Sequence, residues 1–113
     1  MKDIGTRMKE NYENRYRFYL TRRTPVIIRL DGKAFHTLTK KCEKPFDLPL
    51  NTAMVYTAQH LVANIQGAKA AYVQSDEISI LMTDFASPNT EMWFGGTIQK
   101  IVSLAAALAT AAV

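Results

Sequence analysis

The sequence contains one cysteine, Cys42, among its 113 residues, which excludes a disulfide within the chain. A lone thiol fits a reducing compartment, so we expect a cytoplasmic protein. Cys42 also lacks partners at zinc-binding spacing, which argues against a zinc site. The first ten residues are charged and hold no apolar segment like that of a secretory signal.

Long apolar runs are scarce too. The longest is Ile101–Val113, which is shorter than the roughly 20 residues that a membrane span needs, so we expect no membrane partner. This run ends without a cap or a polar turn, and the pattern predicts a buried helix that needs a further partner surface. We therefore expect a homo-oligomer, and a single domain over residues 1–113 that is incomplete at its C-terminal end.

Acidic residues are few in the first part of the chain. Residues 1–44 hold 12 of the 14 Lys and Arg but five of the ten Asp and Glu, a net charge of +7, whereas residues 45–113 carry −3. This skew has two interpretations that the composition leaves open. It marks a contact for a polyanion, or it is a solvated basic face.

Hydrophobic periodicity predicts the element order α, β, α, β, β, α. This is the order of an incomplete ferredoxin-like βαββαβ unit with a preceding helix, an α+β fold. The predicted elements are a helix over Asp3–Leu20, a strand over Val26–Leu30, a helix capped by Asn51 and stopped by Gly67, strands over Ala70–Ser75 and Ile78–Met82, and a helix from Thr97 onward. Segment Lys33–Pro49 is predicted to be irregular because Pro45 and Pro49 interrupt it.

The expected core residues follow helical spacing. In the second helix they are Met54, Ala58, Leu61 and Ile65. In the last helix they are Ile98, Ile101, Val102, Ala105, Leu108 and Ala112.

Two acidic motifs stand at the ends of predicted strands. Asp31-Gly32 follows the first strand, and Asp76-Glu77 separates the two strands of the hairpin. If the first strand packs beside the hairpin, Asp31 and Asp76 lie at neighbouring ends of one sheet. Two carboxylates there suit Mg²⁺, and a pair of such ions activates an attacking hydroxyl and stabilises a leaving pyrophosphate.

The residues after Asp31 suit a phosphate group. Gly32 allows close backbone approach, and the amides from Gly32 to Phe35 are suited to an anion nest. Nearby positive charge is suited to neutralising a triphosphate, and it comes from Lys33, Lys40, Lys41 and Lys44. Taken singly, each acidic motif is also the ordinary sequence of a polar turn, so these motifs alone leave both interpretations open.

The exact strings favour the functional interpretation. Arg29-Leu-Asp-Gly-Lys-Ala-Phe-His36, Lys44-Pro-Phe-Asp47 and Gln74-Ser-Asp-Glu-Ile-Ser79 closely resemble the tRNA(His) guanylyltransferase family, as does Lys100-Ile-Val-Ser103 with its alanine-rich continuation. The resemblance covers essentially the whole chain.

This resemblance implies a palm-like catalytic domain that adds nucleotides to the 5′ end of tRNA in the 3′-to-5′ direction, using GTP, ATP or other nucleoside triphosphates. It implies that Asp31 and Asp76 hold two Mg²⁺ ions, with the Gly32 carbonyl as a further ligand. Glu77 matches a further family acid, so the resemblance implies that Asp31, Asp76 and Glu77 are the catalytic residues. The implied nucleotide contacts are Asp31, Gly32, Lys33, Ala34, Phe35, His36, Lys44, Ser75 and Asp76.

One departure concerns the residues before Lys100. Family members that guanylylate tRNA(His) carry basic residues where this chain has Gly95, Gly96 and Thr97. The chain is thus more similar to the guanylyltransferase-like branch, which is associated with repair of tRNA 5′ ends. Two other functions remain open: a non-catalytic nucleotide- or RNA-binding fragment, and a cyclase-like signalling domain, which the absence of a Gly-Gly-acid turn at the hairpin disfavours.

Overall fold

The computed structural model describes residues 1–32 and 48–113, and the predictions for residues 33–47 lie outside it. The predicted order of helices and strands is confirmed, with two short 3-10 helices added. The elements are α1 (Ile4–Asn11), a first 3-10 helix (Glu13–Tyr16), β1 (Val26–Asp31), α2 (Leu48–Asn64), β2 (Ala68–Gln74), β3 (Glu77–Met82), a second 3-10 helix (Trp93–Gly96) and α3 (Ile98–Ala112).

The three strands form one antiparallel sheet in the order β1-β3-β2. Strand β1 is rich in β-branched residues, which pack well on a pleated surface. It pairs with β3 from Val26 opposite Met82 to Asp31 opposite Glu77. On the other side of β3, Gln74 of β2 also lies opposite Glu77. The β1–β3 and β2–β3 pairings therefore bring the ends of all three strands together at Glu77.

Both long helices pack on one face of this sheet. Helix α2 contacts β2, β3 and α3, and α3 contacts β1. The face that they cover is apolar because alternate residues of β3 point to it, and Ile78, Ile80 and Met82 are buried. The predicted α2 stripe of Met54, Ala58, Leu61 and Ile65 is buried against it. The sequence order and the sheet are those of an incomplete palm-like core of the βαββαβ kind.

Gly67 connects α2 to the sheet. Its φ is +84°, a left-handed conformation that favours glycine, and a Cβ there would lie 2.4 Å from the carbonyl oxygen of Thr83. The carbonyl of Gly67 in turn accepts a 3.0 Å hydrogen bond from the Thr83 amide. The predicted stop at Gly67 thus joins the end of the helix to the end of β3.

The predicted first helix is shorter than expected. Asp3 caps it, accepting a 2.7 Å hydrogen bond from the Thr6 amide, but α1 ends at Asn11 and the chain is extended again at Arg17. The residues of α1 are all exposed, so no core supports a longer helix, and helices of this length depend on such packing.

Two further boundaries differ from the prediction. Helix α2 begins at Leu48 instead of after Asn51. Pro49 does not prevent this earlier start, because proline is tolerated in the first turn of a helix. In α3, Ile101 and Ala105 are buried, but Ile98 and Val102 are 38% and 61% exposed. The buried stripe of α3 is therefore narrower than its apolar composition suggests. In the described part of the chain, no helix has both the length and the apolar character of a membrane span.

The Gly95-Gly96 pair has a structural role. Both glycines have positive φ, +61° and +78°. A Cβ on Gly96 would lie 3.0 Å from Sδ of Met92 and 3.6 Å from the backbone of Leu20. The pair therefore makes the turn into α3 and allows the chain near Leu20 to approach closely.

Candidate active site

The two acidic motifs meet at one end of the sheet. Asp31 is the last residue of β1, and Asp76 immediately precedes β3, the strand that pairs with β1. The amide of Gly32 donates a 3.1 Å hydrogen bond to the carbonyl of Asp76. This contact extends the ladder by one step past the strands, so the backbones that carry the two aspartates are fixed relative to each other.

The hairpin turn that carries Asp76 is tight. Gln74 and Glu77 face each other across the β2–β3 pair, which leaves Ser75 and Asp76 as a two-residue turn. Ser75 has a φ of +54°, the left-handed conformation that two-residue hairpins require at their first central position. A turn of this length permits little variation in register, so it places Asp76 reproducibly beside β1.

A cleft of about 430 Å³ opens beside this pair of acids. Helix α2 contributes Met54 and Thr57 to its wall, and the last turn of α3 contributes Thr110. The described lining residues are Leu30, Asp31, Gly32, Met54, Thr57, Asp76, Ile78, Ala109, Thr110 and Val113. Apolar walls with a few convergent polar groups are the usual composition of a small-molecule site.

Thr57 is the buried polar group of this wall. It is fully buried, and its hydroxyl donates a 2.8 Å hydrogen bond to the Ala53 carbonyl. A hydroxyl that donates one hydrogen bond can still accept another. Sequence reasoning missed Thr57, although its spacing of three from Met54 and four from Leu61 is a usable helical signal.

Glu77 lies close to the aspartates but has a different partner. Its carboxylate forms two hydrogen bonds with the Arg29 guanidinium, Nε to Oε1 and Nη2 to Oε2, both 2.8 Å. These bonds hold the pKa of Glu77 below its ordinary value, and they raise the pKa of Arg29. Neither Glu77 nor Ser75 is among the described residues that line the cleft. The catalytic role that the family resemblance implies for Glu77 stays a prediction, and the structure pairs this acid with Arg29.

The metal that the motifs suggest fits the donors at this end of the sheet. The side chains here are carboxylates, which are the ligands that Mg²⁺ prefers, and Mg²⁺ usually takes one or two of them plus water and substrate phosphate. Asp31 and Asp76 satisfy that number. Within residues 1–32 and 48–113, no group of three or more acidic, histidine or cysteine side chains gathers into an all-protein cage.

The remaining predicted nucleotide contacts, Lys33, Ala34, Phe35, His36 and Lys44, lie outside the described residues. Their segment joins Gly32 to α2, and both of these border the cleft. Asp31, Gly32 and Asp76 are thus the predicted residues that the structure brings together.

The sheet with its two backing helices and its paired carboxylates at one end defines a palm-like α+β domain. Comparisons agree on its family. Residues 5–113 match the family model described as tRNAHis guanylyltransferase. The chain belongs to the tRNA(His) guanylyltransferase family, whose members are nucleotidyltransferases.

Solved structures and curated proteins give the same result. The structure superposes with a TM-score of 0.88 on a bacterial tRNA(His) guanylyltransferase-like protein in complex with ATP, at 53% identity, over 97% of this chain and 48% of that one. The TM-score is 0.87 for such a protein in complex with GTP, at 53% identity over 97% and 50% of the two chains.

Two curated relatives are more distant. A tRNA(His) guanylyltransferase of Schizosaccharomyces pombe is 36% identical over 79% of this chain and 33% of its own length. An uncharacterized protein of Acanthamoeba polyphaga mimivirus is 36% identical over 89% and 36%. The chain therefore spans about half the length of the solved relatives and about a third of the curated ones.

Proposed function

We propose that this chain carries the catalytic half of a Mg²⁺-dependent nucleotidyltransferase that adds nucleotides to the 5′ end of tRNA in the 3′-to-5′ direction. The observation that carries the proposal is that Asp31 and Asp76 both border the cleft, on backbones joined by the hydrogen bond from the Gly32 amide to the Asp76 carbonyl. It is supported by solved relatives that are complexes with ATP and GTP.

In the proposed reaction, the 3′-hydroxyl of an incoming nucleoside triphosphate attacks the phosphorus at an activated tRNA 5′ end. A new P–O bond forms, the hydroxyl proton is released to water, and pyrophosphate leaves from a triphosphorylated end or AMP from an adenylylated one. Bound Mg²⁺ would supply Lewis-acid stabilisation of the phosphate charge. Asp31 and Asp76, with the Gly32 carbonyl, would hold it.

The other residues have simpler proposed roles. The apolar cleft wall of Met54 and Ile78 would exclude water from one side of the nucleotide. Lys33, Lys44 and Ser75 remain predicted triphosphate contacts, with the segment Ala34–His36. Glu77, held by Arg29, would contribute negative charge near the metal rather than ligate it. We also propose that the protein acts in the cytoplasm and as a homo-oligomer.

A second candidate function is nucleotide binding without transfer. It is supported by the solved relatives, which are complexes with ATP and with GTP. In that case the cleft binds ATP or GTP, and the chemistry requires residues from the part of those relatives that this chain does not match.

Incorporation of labelled GTP into 5′-triphosphorylated tRNA tests the proposal. We expect the wild-type chain to extend the RNA, and Asp31→Asn and Asp76→Asn each to reduce the rate by at least about 100-fold, a typical loss when electrostatic stabilisation of a transition state is removed. Glu91→Gln, at an exposed acid outside the cleft, is the matched control and should be fully active.

Two results would decide against transfer. Undiminished incorporation by either aspartate variant would refute the metal assignment. GTP binding by the wild-type chain, with no incorporation into any tRNA tested, would favour the binding function.

A further inference from the structure

The first 19 residues form an arm that extends from the domain. Helix α1 contacts the first 3-10 helix and no other regular element within the described residues. The arm is attached where Ile98 donates a 2.9 Å hydrogen bond to the Phe18 carbonyl and where Leu20 donates one of 2.9 Å to Gly96. Residues 1–17 therefore stand apart from the core.

The arm and its attachment are rich in positive charge without partners. Residues 1–23 hold seven basic and three acidic residues. Lys2 pairs with Glu10, and Arg23 bonds to the connector after β3. The side chains of Arg7, Arg15, Arg17 and Arg22 form no ion pair with any residue in 1–32 or 48–113.

Exposed aromatic rings alternate with these arginines. Tyr12 and Tyr16 are 60% and 75% exposed, and Phe18 and Tyr19 follow them. Aromatic faces interleaved with basic side chains are what proteins use to bind single-stranded nucleic acid, because bases stack on the rings while phosphates meet the charges.

A second copy of this chain is a poorer match for the arm. Its described residues hold eight acids, and six are engaged or lie at the cleft: Asp3 by Thr6, Glu10 by Lys2, Glu77 by Arg29, Asp84 by the Arg23 backbone, and Asp31 and Asp76 at the cleft. Glu13 and Glu91 are the other two. Several free arginines would therefore find few carboxylates there, whereas RNA presents a phosphate at every nucleotide.

The arm lies away from the cleft. It is attached at the start of α3, and Ala109 and Thr110 at the end of the same helix line the cleft. Ile98 and Ala109 are 11 residues apart in this helix, a separation of about 17 Å. A ligand that touches both points must span at least this distance.

We infer that the arm is an RNA-binding element that holds the substrate RNA at a distance from its reacting 5′ end. This inference rests on the proposed function, and it identifies a surface that binds the RNA substrate outside the cleft. Arg7, Arg15 and Arg17 contact phosphates, and Tyr12 and Tyr16 stack on bases.

Fluorescence anisotropy with a labelled single-stranded RNA of ~12 nucleotides tests it. The full chain is titrated between about 50 and 200 mM salt. Relative to wild type, the triple variant Arg7→Ala/Arg15→Ala/Arg17→Ala should weaken binding and flatten the slope of log affinity against log salt by about 2, since each lost phosphate contact removes about 0.7. The Arg→Lys triple variant should keep the wild-type slope.

The tyrosines are tested separately. Tyr12→Leu/Tyr16→Leu should weaken RNA binding without changing the salt slope, and Tyr12→Phe/Tyr16→Phe should bind RNA as tightly as wild type.

Binding of ATP and sedimentation velocity are measured on every variant. An unchanged affinity and slope in the Arg→Ala triple variant would overturn the inference. If that variant instead changes its sedimentation coefficient while binding RNA normally, the arm is an interface between copies, and the inference is also wrong. The ATP measurement separates this failure from that of the proposed function, because loss of the cleft would abolish ATP binding with the arm intact.

Discussion

The amide of Gly32 donates a hydrogen bond to the carbonyl of Asp76 at 3.1 Å, which joins the end of β1 to the hairpin turn. Asp31 and Asp76 are 45 positions apart in the sequence. This backbone contact and the strand register position them at the same end of the sheet. Preorganisation of this kind is what a metal-dependent site requires, because ligands that must rearrange lose affinity.

The first prediction concerns metal binding at this pair. Mg²⁺ should strengthen ATP binding to the wild-type chain by about 10-fold or more, and the double variant Asp31→Asn/Asp76→Asn should lose that enhancement, because neutral amides attract the cation far less. Isothermal titration of ATP with and without Mg²⁺ measures it. Glu91→Gln serves as the control. An equal enhancement in the double variant would place the metal elsewhere.

The second prediction uses the ion pair between Arg29 and Glu77. Hydrogen bonds from Arg29 depress the pKa of Glu77 below its ordinary 4.5. Because the folded pKa is the lower one, this pair stabilises the fold above pH 4.5, and the contribution disappears as the pH falls through the folded pKa. Arg29→Gln should raise the pKa of Glu77 toward 4.5 and remove that part of the acid dependence of unfolding.

Residue-resolved NMR titration of the Glu77 carboxyl measures this shift directly. It also separates Glu77 from Asp3, whose pKa is lowered by the Thr6 amide at the start of α1. The Asp3 titration should be identical in wild type and Arg29→Gln, which makes it an internal control. A Glu77 midpoint that does not move would mean that Arg29 is not its stabilising partner in solution.

Much of this arrangement was predictable from the sequence, and the reasons are local. The β-branched run before Asp31 specifies a strand, and the four- and three-residue spacing of Met54, Ala58 and Leu61 specifies a buried helix face. The meeting of Asp31 and Asp76 follows once β1 is assumed to pair beside the hairpin. The structure confirms that β1 pairs beside the hairpin, with Asp31 opposite Glu77, and the short hairpin turn fixes this register.

What escaped prediction depends on tertiary contacts. No local signal shows that α1 will lack a surface to pack on, or that Ile98 and Val102 will be exposed, since the α3 stripe is set by where β1 and α2 lie. The ion pair between Arg29 and Glu77 forms only because β1 lies beside β3 in one particular register. The sequence alone does not show which basic residue will pair with Glu77.

A third prediction compares two glycines. Gly67 and Gly95 both have positive φ, but a Cβ at Gly67 meets the Thr83 carbonyl oxygen at 2.4 Å and one at Gly95 meets nothing within 4 Å. Gly95→Ala should therefore cost about 1 kcal/mol, the conformational term alone. Gly67→Ala adds a clash with backbone and should cost about 3 kcal/mol or more. Urea unfolding of the two variants measures both, and equal losses would show that the clash relaxes without penalty.

The fourth prediction concerns Asp84, a buried acid that lies outside the proposed chemistry. It is 2% exposed, and both of its carboxylate oxygens accept the Arg23 amide at 3.0 Å. The Arg23 side chain also donates to the carbonyls of Ser87, at 2.9 Å, and Pro88. Together these bonds fasten the segment before β1 to the connector after β3, and they hold Arg23 at a φ of +64°.

Asp84→Ala leaves the part-buried Arg23 amide without its acceptor and should lower the free energy of unfolding by about 2 kcal/mol. Asp84→Asn keeps one acceptor oxygen and should cost about half as much. Arg23→Gly retains the backbone donor and relieves the left-handed strain, but it loses the guanidinium bonds, so it should fall between wild type and Asp84→Ala. Urea unfolding with a common slope across the series measures the differences.

ATP binding serves as the control. Below its unfolding transition, Asp84→Ala should bind ATP as wild type does, since the Asp84–Arg23 contact does not border the cleft. If Asp84→Ala lowers the free energy of unfolding by less than about 0.5 kcal/mol, the size of an ordinary surface substitution, the Asp84–Arg23 contact does not stabilise the fold.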